Sequence, residues 1–311
     1  MSQPTEQQSH IDVGLSNVSI AYRNGAYIAD QIFPTVPVPK ATNKFWKFTA
    51  ADWLRDEAGV RAPGTRARRA DYTVSNEPYV CVEWALAKGV PDEVQDMADE
   101  PLRPLITATE FVTDKILMRV ERDVLGEVFG NSKWSASATP GTLWSSDSSD
   151  PLGDIETAVY TVAKTIGREP NIAVVGRGLW RYLKNHPDIA DRIKYGGTPG
   201  APAAITLSAV ASLVGIQKFL VASSVYDSAQ EGATSSVGMI AGNHMWIGYV
   251  SPTPALDVPS AGYVFQYKSR EVSRFREDQE RQDIVEARMS WDTKLTAAGA
   301  GYLIKQAVAS G

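Results

Sequence analysis

Residues 100–130, EPLRPLITATEFVTDKILMRVERDVLGEVFG, carry the most legible pattern in the chain. Leu105, Thr109, Val112, Ile116, Val120 and Val124 recur at helical spacing, and Leu117 and Val128 widen the stripe. Such a stripe is how a helix shows one face to a core. Pro101 suits the first turn, Asp99 or Glu100 serves the exposed N–H groups there, and Gly130-Asn131 supplies the stop. About 30 residues at 1.5 Å each predict a rod of roughly 45 Å, long for a globular domain. The opposite face carries Asp114, Lys115, Arg119, Glu121, Arg122 and Asp123, read as solvated surface.

Upstream, residues 45–90 read as a long two-stranded excursion. Trp46 and Phe48 alternate with Lys47 and Thr49 on the way out; Val80, Val82, Trp84 and Leu86 alternate with Cys81, Glu83, Ala85 and Ala87 on the way back. Period-2 alternation is the mark of half-buried strands. Between them lies DWLRDEAGVRAPGTRARRADY, residues 52–72, with bends at Gly59, Pro63 and Gly64. A lone hairpin is marginal in water, so this one is expected to rest on another chain. Ahead of it, Ser16 to Lys40 reads as an extended arm, because Pro34, Pro37 and Pro39 remove donors and push their neighbours toward extended conformations. Ile32, Phe33 and Val36 in that arm need a cover; the plain reading is that the arm lies on its own domain, the sharper expectation that it lies partly on a neighbouring subunit.

Downstream, the Ser/Thr/Gly-rich stretch 131–149 is a loop, and Asp150-Pro151 opens a second helix with an N-cap followed by proline. From there to about 250 helices and short apolar strands alternate, with strands expected at Ile172–Val175, Phe219–Ala222, Val237–Ala241 and Trp246–Val250. This reads as an α/β unit. The end of the chain is strand-rich: Val285, Ala287, Met289 and Trp291 alternate with polar residues, and Tyr302-Leu303-Ile304 form a last apolar segment.

Chemistry is sparse. The 311 residues carry a formal net charge of -5, unlike the strongly basic balance of a dedicated nucleic-acid binder. Cys81 is the single cysteine, so no intrachain disulfide forms. No apolar run reaches the roughly 18–20 residues that span a bilayer, and the opening residues lack the pattern of a signal peptide. His10, His186 and His244 lack metal-ligand spacing. No cofactor, metal or catalytic residue is expected. Val175-Gly176-Arg177-Gly178-Leu179 looks like a phosphate turn, but Arg181 stands where a dinucleotide fingerprint needs its third glycine. A nucleotide-dependent α/β enzyme using that turn is the alternative from another class. Arg61, Arg66, Arg68 and Arg69 form the one concentrated basic patch. The patch reads as a plain exposed loop, as a DNA-facing cluster, or as a salt-bridging surface for another chain. Guanidinium groups suit planar pairing with carboxylates, so the last is favoured and the patch, with Trp53, is expected to contact another subunit.

Several blocks resemble one family. They are Tyr27-Ile28-Ala29-Asp30-Gln31-Ile32-Phe33-Pro34 with Val36-Pro37-Val38, Asp52-Trp53-Leu54-Arg55-Asp56-Glu57 with Arg61-Ala62-Pro63-Gly64, Val90-Pro91-Asp92-Glu93, and Ala108-Thr109-Glu110-Phe111-Val112-Thr113. Asn185-His186-Pro187-Asp188-Ile189 and Val250-Ser251-Pro252-Thr253-Pro254 continue the series in the same order. Together the blocks resemble the tailed-phage major capsid proteins with the Hong Kong 97-type fold. The resemblance implies an α+β chain in five parts: an N-terminal arm (1–44), an E-loop β-hairpin (45–90), a P-domain with the spine helix (91–150), an α/β A-domain (151–255) and P-domain return strands (256–311). It further implies pentamers and hexamers tiling an icosahedral shell around double-stranded DNA bound without sequence specificity. Portal, scaffolding and decoration proteins would be partners and no membrane is involved; shells would form in the host bacterial cytoplasm, the chain ending up in the virion. The arm begins soon after the first methionine, so a scaffold is expected to be a separate protein. An encapsulin-like nanocompartment shell is the nearest alternative.

Overall fold

Two sheets and one long helix organise the protein in a computed structural model that describes residues 27–48, 52, 54–98, 103–196, 205–230, 232–254 and 258–308. The elements up to the first long loop are α1 (Ala29–Ile32), β1 (Thr35–Pro37), β2 (Thr42–Phe48), β3 (Val74–Val80), β4 (Val82–Pro91), α2 (Asp92–Asp96), α3 (Pro104–Val128) and β5 (Ala136–Ala138). The middle of the chain forms α4 (Pro151–Ile166), β6 (Ile172–Gly176), α5 (Arg177–Leu183), α6 (Pro187–Gly196), α7 (Leu207–Val214), β7 (Lys218–Ala222), β8 (Val225–Asp227), β9 (Val237–Met239) and β10 (Met245–Gly248). It closes with β11 (Gly262–Glu277), β12 (Gln282–Leu295) and β13 (Gly301–Ile304). The class is α+β.

The long helix is α3, 25 residues or about 38 Å. It buries Ala108, Thr109, Val112, Thr113, Ile116, Val124, Leu125 and Val128, close to the stripe read from the sequence. Its first turn opens on Pro104, not on Pro101. Residues 99–102, which were to cap it, lie outside the described residues. Its end differs as well. Gly130 does not adopt a left-handed conformation; the Trp134 indole N–H donates to the Val128 carbonyl at 2.7 Å and satisfies one of the last-turn acceptors instead.

Helix α4 begins as its sequence dictates. The Asp150 carboxylate accepts from the Gly153 N–H at 2.8 Å and Pro151 takes the first position; Gly167, at φ 69°, ends it in a left-handed cap. Strand β6 is buried at every position, running parallel to β7 and antiparallel to β10. The whole sheet has the order β5-β13-β10-β6-β7. It therefore recruits Ala136–Ala138 and Gly301–Ile304, and crosses both boundaries expected for the α/β unit, at 150/151 and 255/256. Sequence periodicity marks a strand without naming its partner.

The second sheet has the order β1-β11-β12-β4. Helix α3 lies across β12 and β4, and Val112, Ile116, Val124, Val285, Ala287 and Trp291 share one core. The arm joins that core, which corrects the expectation of an extended, neighbour-covered segment. Residues 29–32 form one helical turn, and β1 pairs in parallel with β11, Thr35 opposite Val264. Ile32 and Phe33 are fully buried by their own chain. The Phe33 ring meets Trp246 edge-on at 6.2 Å, and a Cβ at Gly262 would stand 2.9 Å from Phe33, so only glycine permits that approach.

The excursion is also shorter than expected. β2 pairs with β3 from Thr42–Val80 to Phe48–Val74, but β4 leaves it and pairs with β12. The junction is Cys81, whose N–H donates to the Ala41 carbonyl at 2.8 Å. The expected face is reversed too. Phe45 and Tyr79 turn inward onto Phe265 at 5.3 and 4.8 Å, whereas Trp46, Val80, Val82 and Leu86 are exposed. Apolar side chains occur on both faces, so alternation defines a strand without choosing which side meets the core.

Replacing Phe33 with alanine is expected to lower the stability of the unassembled chain by about 3–5 kcal/mol, as for a large aromatic lost from a core. Denaturant unfolding of the chain before assembly measures it; an unchanged midpoint would show that Phe33 is covered only in a complex.

Candidate assembly interface

Glu121 anchors the arm to the long helix. The sequence placed it on a solvated face, yet it is 0% exposed. One carboxylate oxygen accepts from the backbone N–H groups of Ile28 and Ala29 at 3.0 and 2.7 Å. The other accepts from the Ser224 hydroxyl at 3.0 Å. Ile28 and Ala29 open α1, so the carboxylate caps that turn from a distant helix. Burial pushes the Glu121 carboxyl above its ordinary value; the three donors pull the other way and Asp30 adds to the rise. The signal was present: Glu121 sits four residues after Leu117 and three before Val124, inside the apolar stripe.

The residues expected to touch a neighbour fall in separate places. Arg61, Arg66, Arg68 and Arg69 are all exposed, on the loop joining β2 to β3. Gly64, at φ 81°, sets the turn there, and the Arg61 guanidinium donates to the Thr65 carbonyl at 2.6 Å. Arg66, Arg68 and Arg69 make no ion pair among the described residues. At the base of the loop Asp52 accepts from the Thr73 N–H at 3.0 Å and from its hydroxyl, and these bonds hold its carboxyl below the usual range. Trp53 lies outside the described residues. Ile32 and Phe33 are in the core, with no surface left for a neighbour. Val36 is half-buried on β1 against the small cluster of Tyr79, Cys81, Tyr263 and Phe265.

Sequence reasoning missed the exposed side of β4. This strand is the edge of its sheet; its Val82 is 51% exposed, and Val80, at the end of β3, is 50% exposed. Beside them Trp84 stacks on Trp291 at 6.1 Å under the Arg119 guanidinium, 4.1 Å from the ring centre. A row of apolar side chains along an open edge marks a surface for association.

The turn that looks like a phosphate loop is filled by the protein itself. Helix α5 starts at Arg177, directly after β6. The Gly176 N–H donates to the His244 carbonyl at 3.0 Å. A Cβ on Gly176 would fall 2.0 Å from the Gly242 carbonyl, and one on Gly178 2.7 Å from the Asn243 side chain. The glycines admit the loop at 242–244, not a pyrophosphate. His186 is buried, with Nε2 3.0 Å from the Ser149 hydroxyl and 3.2 Å from the Ser146 carbonyl. Ser149 also hydrogen-bonds that carbonyl at 2.8 Å, so the three groups close the loop ahead of α4 against His186. His10 lies outside the described residues. Among the described residues no group of three or more His, Cys, Asp or Glu could hold a metal, and no helix is long and apolar enough to cross a membrane.

Comparison with known proteins places these features in context. No family model matches the chain. It is similar to the major capsid protein of Pseudomonas phage JBD67, 29% identical over 238 residues that cover 75% of each chain. Its similarity to the major capsid protein of Burkholderia phage BcepMu is 26% over 309 residues, 94% of this chain and 95% of that one. Among solved structures, a phage-related protein from Bordetella bronchiseptica RB50 superposes with a TM-score of 0.75 at 27% identity, covering 96% and 98% of the two chains. The capsid chain of cyanophage P-SCSP1u superposes at 0.62 with 9% identity, over 91% and 89%, which shows a shared fold.

Glu121→Ala should cost about 3 kcal/mol or more, because it strands three buried donors at once; chemical denaturation checks this. A raised folded-state pKa means that the stability contribution of this group is full below the unfolded value, about 4.3, and is lost as pH rises through the folded value. Unfolding free energies measured across that range should show the step in the wild type and not in the alanine variant.

Proposed function

We infer that the chain belongs to the tailed-phage major capsid proteins with the Hong Kong 97-type fold, and that its function is to build a shell from copies of itself. The observation that carries this is the likeness, over 75% and 94% of the chain, to relatives named major capsid protein. The fold is common to phage capsid chains. A structural role is supported by the name that both relatives carry, major capsid protein.

The finer reading is as follows. Residues 1–44 serve as the N-terminal arm, 45–90 as the E-loop hairpin with its continuation into β4, and 91–150 as the spine-helix part of the P-domain. Residues 151–255 form the A-domain, and 256–311 return to the P-domain, lending β13 to the A-domain sheet. Subunits associate as pentamers and hexamers and close an icosahedral shell around packaged double-stranded DNA, held without sequence specificity. Portal, scaffolding and decoration proteins complete the particle, which forms in the cytoplasm of the host bacterium. The exposed Arg66, Arg68 and Arg69 at the hairpin tip contact a neighbouring subunit; the long loop carries them away from the chain's own core, and no described carboxylate pairs with them.

Negative-stain electron microscopy after size-exclusion chromatography tests the core of this reading. Closed shells, tubes or capsomer rings in the void volume are expected from the chain expressed alone or with its scaffold, and a monomer in both preparations would count against it. Replacing Arg66, Arg68 and Arg69 together by alanine should reduce particle yield while leaving circular dichroism and melting of the subunit unchanged. Unaltered yield and particle stability would remove the tip from the interface.

A further inference from the structure

We propose that the loop 242–244 is an acid-released clasp on the segment that follows β13, residues 305–308, and that the His244 ring is its latch. The device lies within one subunit and stands apart from the reading of the chain as a shell protein.

The segment is held by bonds of two kinds. The Lys305 N–H donates to the Ala138 carbonyl at 2.7 Å, the Ala307 N–H to the Asn243 carbonyl at 3.1 Å, and the Trp144 N–H to the Ala307 carbonyl at 2.7 Å. These join backbone to backbone, and a change of pH leaves their donors and acceptors as they are. Between them the Gln306 N–H donates to Nδ1 of His244 at 3.1 Å, and that bond ends on a titratable ring. Gln306 stands at φ 43°, in the left-handed region that residues other than glycine disfavour, so it keeps this conformation only while its neighbours hold it. Beyond it Ala307 and Val308 are buried in one cluster with Trp144 and Met245.

The chemistry of the latch follows from the imidazole. A ring nitrogen accepts a hydrogen bond only without its proton, and in the charged ring both nitrogens are donors. Protonation therefore turns Nδ1 into a donor facing another donor and leaves the Gln306 N–H without its acceptor. The surroundings resist that charge down to a point. The ring is half-buried against Gly242 and lies 6.2 Å from Phe129 at the end of α3, and neither brings a charge. From the held segment, Lys305 faces it. Burial first, and the Lys305 ammonium second, hold His244 below the ordinary histidine value. With a depressed folded value, the contribution of this contact is full above the unfolded value, about 6.5, and is lost as pH falls through the folded value. Acid thus frees Gln306 to leave its left-handed conformation, draws Ala307 and Val308 out of the cluster and bares Trp144.

Backbone hydrogen exchange of the full chain before assembly, corrected for the intrinsic effect of pH on the exchange rate, tests the clasp at pH 7.5 and 5.0. Protection at residues 305–308 is expected to fall about tenfold in acid, the size of one buried hydrogen bond lost, while the amides of β6 keep theirs. His244→Asn puts an oxygen that does not titrate where Nδ1 stood, and should keep the segment protected at both pH values. His244→Phe removes the acceptor and should leave it unprotected at both; if that variant fails to fold, the wild type and the asparagine variant decide. Equal protection of the wild type at the two pH values would overturn the clasp. An equal loss in His244→Asn would overturn it too, because another group would then be responsible.

Discussion

A carboxylate buried in the middle of the long helix holds three distant stretches of this chain in one place. Glu121 accepts two backbone N–H groups from the arm and a hydroxyl from the segment after β7. Taking a carboxylate from water is costly unless its lone pairs find donors, and here every donor is supplied by a segment that would otherwise lack an anchor. The arm is too short to form a core alone, and its single turn of helix has unsatisfied N–H groups. The same contact thus solves two problems, and it places Ile32 and Phe33 where Trp246 and the strand at Gly262 can cover them.

From that anchor the architecture divides its labour. The sheet of β6, β7 and β10 is buried on both faces and is roofed by helices whose ends are set by local signals, Asp150 and Gly167 for α4, Thr206 and Gly215 for α7. The long β11–β12 hairpin carries the other core under α3. What links the two is the return of the chain: β13 and β5 enter the first sheet from outside its sequence block. Val174, Trp246 and Leu303 of the first sheet share one hydrophobic cluster with Val264, Val285 and Trp291 of the second, so separate motion of the two parts would have to open that core.

The surface shows the complementary property. Large apolar side chains are exposed on β2 to β4, namely Trp46, Val80, Val82 and Leu86, and Arg66, Arg68 and Arg69 stand on a long loop without an ion pair among the described residues. A chain stable on its own usually blunts such an edge with charge or cover. Here β4 is left open at the edge of its sheet.

The sequence by itself determined most of the elements and some of their caps. It placed α3 to within a few residues at each end, the N-cap of α4, the alternation of β12 and the run of short strands in the α/β unit. These are local properties, set by periodicity and by the donors and acceptors of neighbouring residues. The resemblance of ordered sequence blocks also identified the fold family, which spacing alone could not. Only the tertiary structure decided partners and faces. It turned Phe45 and Tyr79 inward and Val80 outward, moved β4 from the hairpin to β12, gave β13 to the other sheet, and buried Glu121. Strand pairing and burial depend on which distant segment supplies the missing hydrogen bonds and apolar cover, and that information is spread over the whole chain.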